Sequence, residues 1–349
     1  MSVIVPSYAY TYIKTGFLKK LIMDSEALER IKSINDIHEL INFIEPYYPD
    51  LSIKNYEIEE IEKKIYNIHI KLIGRLISSS PNNIRNFLRD FLLKYEIMNI
   101  RQIIIGSTLG MNIEEKRNNI NPIVHEYLDN TEFIENLIKI TNIEEIQLYL
   151  KNTKYNYPVR EGLLYFRSTN EVFVLESFLD QLYFINFKKS RKALNKIENA
   201  MISLYTKYQT EIYNINLIYR GILNNIDRYL LSQFIVKNSL FLNYDMMQSL
   251  IRQKELDSFF KLLNRFLRKS IEIRTIGINF NSEMDYPIWE LEKIYQKIFF
   301  NKFKLEVGNI DYSTIYRIFE LLVKKEKEIK LIIIPNMIRI IHDKYKMLE

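Results

Sequence analysis

Glu96 and Asn99 stand three residues apart, and so do Glu211 and Asn214. On an α-helix that spacing puts a carboxylate and an amide on one face. Facing solvent, such a pair could hold a cation or a polar ligand; facing inward, it would tie the helix to a neighbour by hydrogen bonds. The pairs sit in near-identical pentapeptides, EIMNI (96–100) and EIYNI (211–215). A third pentapeptide, EIKLI (328–332), keeps Glu328 but has Leu331 in the amide position. A chemistry shared by three copies would need its amide three times, so the pair reads as structural.

Other candidate chemistry is sparse. HEYLD (125–129) starts like a zinc-protease helix but ends on Asp129 instead of the second histidine, leaving two ligands and no third. GSTLGMN (106–112) lacks the spacing and the lysine of a phosphate-binding loop. The remaining histidines, His38, His69 and His342, are scattered along the chain. The sequence therefore offers no catalytic residue, no metal ligand set and no cofactor-binding residue, and the expected cofactor complement is none.

The elements that carry the pentapeptides repeat with them. Their first residues, Glu96, Glu211 and Glu328, are 115 and 117 residues apart. Ahead of each lies an apolar residue followed by glutamate: Ile61-Glu62, Leu175-Glu176 and Leu291-Glu292, at 34, 35 and 36 residues, glutamate to glutamate. From Leu175 the apolar residues are Phe178, Leu179, Leu182 and Tyr183, and from Leu291 they are Ile294, Tyr295, Ile298 and Phe299. Both follow the spacing that lines one side of a helix. The first copy keeps Ile61, Ile65 and Ile68 but has Lys64 and His69 in the other positions, which makes His69 a candidate core imidazole. Around the pentapeptides, Leu93, Ile97, Ile100 and Ile104 form one stripe and Tyr208, Ile212, Ile215 and Tyr219 its counterpart. Burying four such side chains contributes about 6–12 kcal/mol before chain entropy is subtracted. Glu62, Glu96, Asn99, Ile100, Glu176, Glu211, Asn214, Ile215, Glu292, Glu328 and Ile332 are thus the repeated motif residues.

The 349 residues contain only 8 Gly and 8 Pro, which favours long helices over a turn-rich β architecture. A repeat near 116 residues is domain-sized rather than solenoid-sized. The expected fold is all-α, a triplicated helical domain with boundaries at 1–112, 113–227 and 228–349. SSSPNN (78–83) reads as the loop between the first two marked helices, and Pro335 should kink or end the third copy's last helix. With no cysteine, disulfides and thiolate metal sites are excluded. The N-terminal residues do not have the form of a signal peptide, and LIIIPNMIRII (331–341) is too short and too interrupted to span a membrane. The net charge of +6 and pI near 9.0 leave open nucleic acid, anionic lipid or an acidic protein as partner. The short cluster KKSRK (188–192) reads as solvated helix surface.

Taken in order, a Leu-Glu helix followed some 35 residues later by E-x-x-N-I, three times over, resembles the C subunit of archaeal A-type ATP synthases, a family that also includes the d subunit of V-type ATPases. Tyr8-Ala9-Tyr10 with the basic helix of Lys14, Lys19 and Lys20 is similar to the start of that family. LESFLDQLYF (175–184) is similar to its Leu-Glu-x-x-Leu-Asp-x-x-Tyr segment, and KEKEIKLIII (325–334) to its last helix. The resemblance spans essentially the whole chain; Lys64, His69, Leu331 and Pro335 depart from it.

The resemblance implies three helical domains around a pseudo-threefold axis, arranged as a funnel. It implies a non-catalytic rotor or central-stalk part, peripheral on the cytoplasmic face of the cell membrane. The partners it implies are the proteolipid ring of the membrane sector and the central axle subunits, with no nucleic acid and no membrane span. Two readings from other classes stand beside it: a helical nucleic-acid-binding protein, allowed by the charge, and an all-α metal enzyme, allowed by HEYLD. No aromatic-plus-basic recognition motif supports the first.

Overall fold

The computed structural model describes residues 8–169, 172–189, 196–278, 280–281, 283–284, 287–307 and 314–346. Among these there is no strand, and the fold is all-α. The chain opens with α1 (Ala9–Leu18), α2 (Ser25–Ser33) and α3 (Ile37–Ile44), then the long pair α4 (Ile58–Ser79) and α5 (Asn82–Thr108). Four short helices follow: α6 (Ile113–Asn118), α7 (Ile123–Leu128), α8 (Thr131–Lys139) and α9 (Ile143–Tyr149). Next come α10 (Asn156–Thr169), α11 (Val172–Lys189) and the long α12 (Lys196–Leu223). The chain continues through α13 (Arg228–Phe234), α14 (Tyr244–Ile251), α15 (Leu256–Leu267) and α16 (Ile271–Arg274). It ends with α17 (Pro287–Val307), α18 (Thr314–Glu328) and α19 (Ile334–Lys346), the last two joined by a π-helical turn, Ile329–Ile333. The side chains of the KKSRK stretch lie outside the described residues.

Two compact units form: residues 1–141 with 309–349, and residues 142–308. In the first, α4 and α5 are separated only by Ser80 and Pro81, within the expected loop. Its core joins both ends of the chain: Ile31, Leu40, Ile44 and Tyr48 from the start, Ile61 and Ile65 from α4, and Ile329, Ile333 and Met337 from the end. In the second, α12 packs against α11 and α17, with the Tyr208 ring stacked on Phe299 at 5.0 Å.

Local structure recurs at the sequence interval. Asn99 exchanges two hydrogen bonds with the backbone of Asn121, and Asn214 exchanges the same two with Val236, each partner 22 residues on. The ends of α5 and α12 close alike. The Met111 N–H bonds the Gly106 carbonyl and the Ile226 N–H bonds the Gly221 carbonyl, at 2.8 and 2.9 Å. Gly110 and Asn225 are left-handed in those closures, at φ 72° and 51°. A Cβ at Gly106 would stand 2.9 Å from Lys116, and one at Gly221 2.5 Å from Leu231, so both glycines let the following helix approach. Asn112 and Asp227 then cap α6 and α13 through their side chains.

The helix carrying Pro335 neither ends nor breaks there. Proline removes one N–H and crowds the carbonyl four residues back, and the chain answers by widening into the π turn. Within it the Ile334 N–H reaches the Ile329 carbonyl, five residues back. The Asn336 side chain donates to the Ile332 carbonyl at 2.7 Å, and α19 runs on to Lys346.

Ile215 is fully buried on α12. Ile215→Asp places an unpaired charge there and is expected to cost about 3 kcal/mol or more. Chemical denaturation followed by circular dichroism checks this; an unchanged midpoint would overturn the assignment of the buried face.

Candidate functional site

The groups singled out by the sequence face inward. Glu96, Asn99, Glu211, Asn214 and Glu328 are each 4% exposed or less. In the first unit Glu96 and Asn99 join one network. The Asn130 amide donates to Glu96 Oε1 at 2.6 Å, and its Oδ1 lies 2.8 Å from His125 Nδ1. His125 Nε2 lies 3.1 Å from the Asn99 amide, which also donates to the Asn121 carbonyl. A neutral imidazole protonated on Nδ1 satisfies both contacts. Asn130 stands at the N-cap of α8 yet makes no cap bond, because its side chain is committed to this network.

In the second unit Glu211 receives the backbone N–H groups of Leu240, Phe241 and Leu242 and the Tyr295 hydroxyl, at 2.7 to 3.1 Å. Burial pushes its pKa up, while these four donors favour the charged form. Together with the Asn214 clamp on Val236 they pin the segment between α13 and α14 onto α12. A surface hollow of about 250 Å³ adjoins Asn214, Val236 and Leu242, but both polar ends of the Asn214 amide are already engaged.

Glu328 accepts the Met23 N–H at 2.9 Å and the Lys325 ammonium at 3.1 Å. Lys325 also donates to the Leu21 carbonyl at 2.6 Å and lies 3.5 Å from the Tyr48 ring centre. Burial holds its pKa down to about 8, against the pull of Glu328. Nearby, Glu326 pairs with Lys94. Leu331, in the position of Asn99 and Asn214, is buried within the π turn.

The other motif residues are not brought together. Glu62 is half-buried, its pKa raised by burial and by Glu59. Glu176 pairs with Arg220 at 2.8 Å, and Glu292 is buried. Ile100 is fully buried like Ile215, and Ile332 packs partly buried against the core of the first unit. His69 is buried, with neither ring nitrogen hydrogen-bonded, edge-on to Tyr95 at 6.1 Å. Among the described residues no three His, Asp or Glu side chains form a metal-binding group. No described helix is long and apolar enough to cross a membrane.

Sequence reasoning missed Asn121, Asn130, Tyr295, Met23 and Lys325. A signal for part of this was available. Asp24, Asn130 and Asn243 stand at the starts of α2, α8 and α14, and each is followed 12 residues later by the N-cap of the next helix, Asp36, Asn142 and Glu255. Glu96, Glu211 and Glu328 are each met at or just ahead of one of these starts.

Long helices pinned by buried carboxylates define an all-α protein whose pinning polar groups face inward. The family model for the ATP synthase (C/AC39) subunit matches residues 14–338, and the chain belongs to that family. It is 21% identical over 237 residues to a Methanocaldococcus jannaschii protein described as the C subunit of an A-type ATP synthase, covering 65% of this chain and 57% of that one. A Pyrococcus furiosus protein of the same description is 25% identical over 208 residues, covering 58% and 52%. A third, from Methanosphaera stadtmanae, is 20% identical over 254 residues, covering 72% and 64%. The matches thus span between about half and two thirds of the length of these relatives.

Two expected outcomes follow from the geometry. Glu211→Ala strips three backbone N–H groups and the Tyr295 hydroxyl of their acceptor and should destabilise the second unit by about 3 kcal/mol. Glu211→Gln keeps one acceptor oxygen and should cost less. Equal unfolding midpoints for Glu211→Ala and the parent chain would refute the clamp.

The second concerns acid. Burial, reinforced by Lys94 and Lys325, holds His69 down from 6.5 to about 3. Burial raises Glu326, but Lys94, Lys327 and His69 outweigh it and bring the carboxyl from 4.5 to about 2. Both groups bind protons more weakly in the native state than in the unfolded chain. Their contributions are therefore complete above pH 6.5 and 4.5 respectively, and are lost as the pH falls towards 3 and 2. The His69 contribution should decline from about pH 6.5 downward. His69→Phe should remove that decline, as read from denaturation midpoints across the pH range.

Proposed function

We propose that this chain is a non-catalytic rotor or central-stalk subunit of an A-type, V-type-like ATP synthase. It links the proteolipid ring of the membrane sector to the central axle, so that ion-driven rotation is coupled to ATP synthesis. In this reading it lies on the cytoplasmic face of the membrane as a peripheral protein. Its body is three copies of one helical module, with boundaries at 1–112, 113–227 and 228–349, around a pseudo-threefold axis that makes a funnel.

The observation that carries the reading is the family match over residues 14–338. The pinning of Glu96, Glu211 and Glu328 at the starts of α8, α14 and α2 supports three equivalent modules. The first two boundaries, at Asn112 and Asp227, fall on equivalent caps. Each pin reaches across a module boundary: Glu96 meets Asn130, Glu211 meets residues 240–242, and Glu328 meets Met23 at the start of the chain. A part that transmits torque gains from buried polar networks, which fix one arrangement of helices and resist shear.

The test is reconstitution of the complex with and without this chain, following ATP hydrolysis and ion pumping in parallel. The isolated chain should not hydrolyse ATP. Its omission should leave hydrolysis by the soluble head intact while pumping fails. Normal pumping without it would overturn the linking role.

A further inference from the structure

We propose that α1 is an interfacial helix that docks this chain on an anionic phospholipid surface. An ordinary surface helix buries its apolar face and exposes its polar one. Helix α1 does the reverse. Thr11 and Thr15 are each 1% exposed, whereas Tyr10, Ile13 and Phe17 are 66%, 56% and 68% exposed.

The inverted orientation is fixed by specific contacts. Thr11 donates to the Ser79 carbonyl at the end of α4, at 2.8 Å. At Gly16 a Cβ would stand 2.7 Å from the Arg317 guanidinium, which lies 3.6 Å from the Tyr12 ring centre. Small residues on the inner side let α1 lie close against α18 and α4, and that leaves the large apolar side chains outside. Tyr10, Ile13 and Phe17 follow a three-then-four spacing, so they form one continuous ridge along the helix. Single exposed apolar residues are ordinary, but an aligned aromatic and aliphatic ridge marks an interaction surface.

Charge selects the occupant. Residues 8–23 contain Lys14, Lys19 and Lys20 and no acidic residue; the first is Asp24. Lys19 is paired with Glu320 at 2.8 Å. Lys14 and Lys20 have no acidic partner among the described residues, and they flank the ridge. A convex ridge of Tyr, Ile and Phe bordered by lysines matches a lipid interface. There the rings and the aliphatic chain enter the headgroup–acyl boundary and the ammonium groups meet phosphates. An acidic protein surface would have to supply a complementary groove, whereas a bilayer deforms around the ridge. The inference goes beyond the linking role and does not depend on it.

The experiment is flotation of the full-length chain with phosphatidylcholine vesicles, with and without phosphatidylglycerol. The chain should float with the anionic vesicles only, and lose them at high salt. Ile13→Ser with Phe17→Ser should weaken binding by about tenfold or more. Lys14→Gln with Lys20→Gln should weaken it by about thirtyfold. Ile13, Phe17 and Lys20 are exposed and Lys14 is half-buried, so thermal midpoints should change little in either variant. Failure to float with anionic vesicles, equal flotation with neutral ones, or flotation of either variant like the parent chain would overturn the proposal. Loss of co-purification with other ATP synthase subunits in the Ile13/Phe17 variant, without flotation of the parent, would also overturn it and assign the ridge to a protein. A chain that floats but does not co-purify with those subunits would instead count against the linking role alone.

Discussion

A carboxylate buried on a helix cannot be satisfied by that helix's N–H groups, which are already paired with its own carbonyls. Left unmet, it would cost several kcal/mol or take up a proton. The donors that meet such carboxylates in this chain include backbone N–H groups or a polar side chain at or just ahead of the start of another helix. Glu96, Glu211 and Glu328 all use that source: the Asn130 amide at the start of α8, the 240–242 amides ahead of α14, and the Met23 N–H ahead of α2. Each demand fixes where a short helix begins and which long helix it lies against.

The same constraint explains why both ends of the chain belong to one compact unit. The donor that meets Glu328 comes from 305 residues away in sequence. Once Met23 is bound there, Leu21 accepts from Lys325, Lys19 reaches Glu320, and Tyr48 lies over Lys325. The charged stretch 324–328 is thereby drawn inward, each of these charges answered by a partner rather than by water.

Networks of this kind fix one arrangement of the helices. Apolar cores tolerate small slips between helices, whereas a hydrogen-bonded carboxylate or amide has one good arrangement. The two-bond clamps of Asn99 on Asn121 and Asn214 on Val236 are the simplest instance, and they lie beside the glutamate pins on the same helix faces. Membership in the ATP synthase (C/AC39) family is consistent with such a body, since the polar groups of the pins are committed to holding helices together.

Much of the fold was legible because helix periodicity is local: the stripes through Ile100 and Ile215, the long helix pairs and the recurrence at 115 residues all depend on neighbours a few positions away. The inward role of Glu96–Asn99 and Glu211–Asn214 could be argued from Leu331 in the third copy. Other features turned on partners distant in sequence. Lys325 and Glu328 are buried and Glu326 half-buried because Leu21, Met23 and Lys94 meet their charges. HEYLD suggests a metal, but Asn99 and Asn130 occupy both nitrogens of His125. Asn130 has the form of a cap and serves Glu96 instead. Pro335 predicts a kink or an end; the chain does not end there but stays helical through a wider π turn, with α19 packed on α3 and α4. The sequence by itself determined the all-α class and the long helices that carry the repeated motif. Only the tertiary structure decided which polar groups go inside, because the cost of burying a charge is set by the donor that meets it, and that donor lies far along the chain.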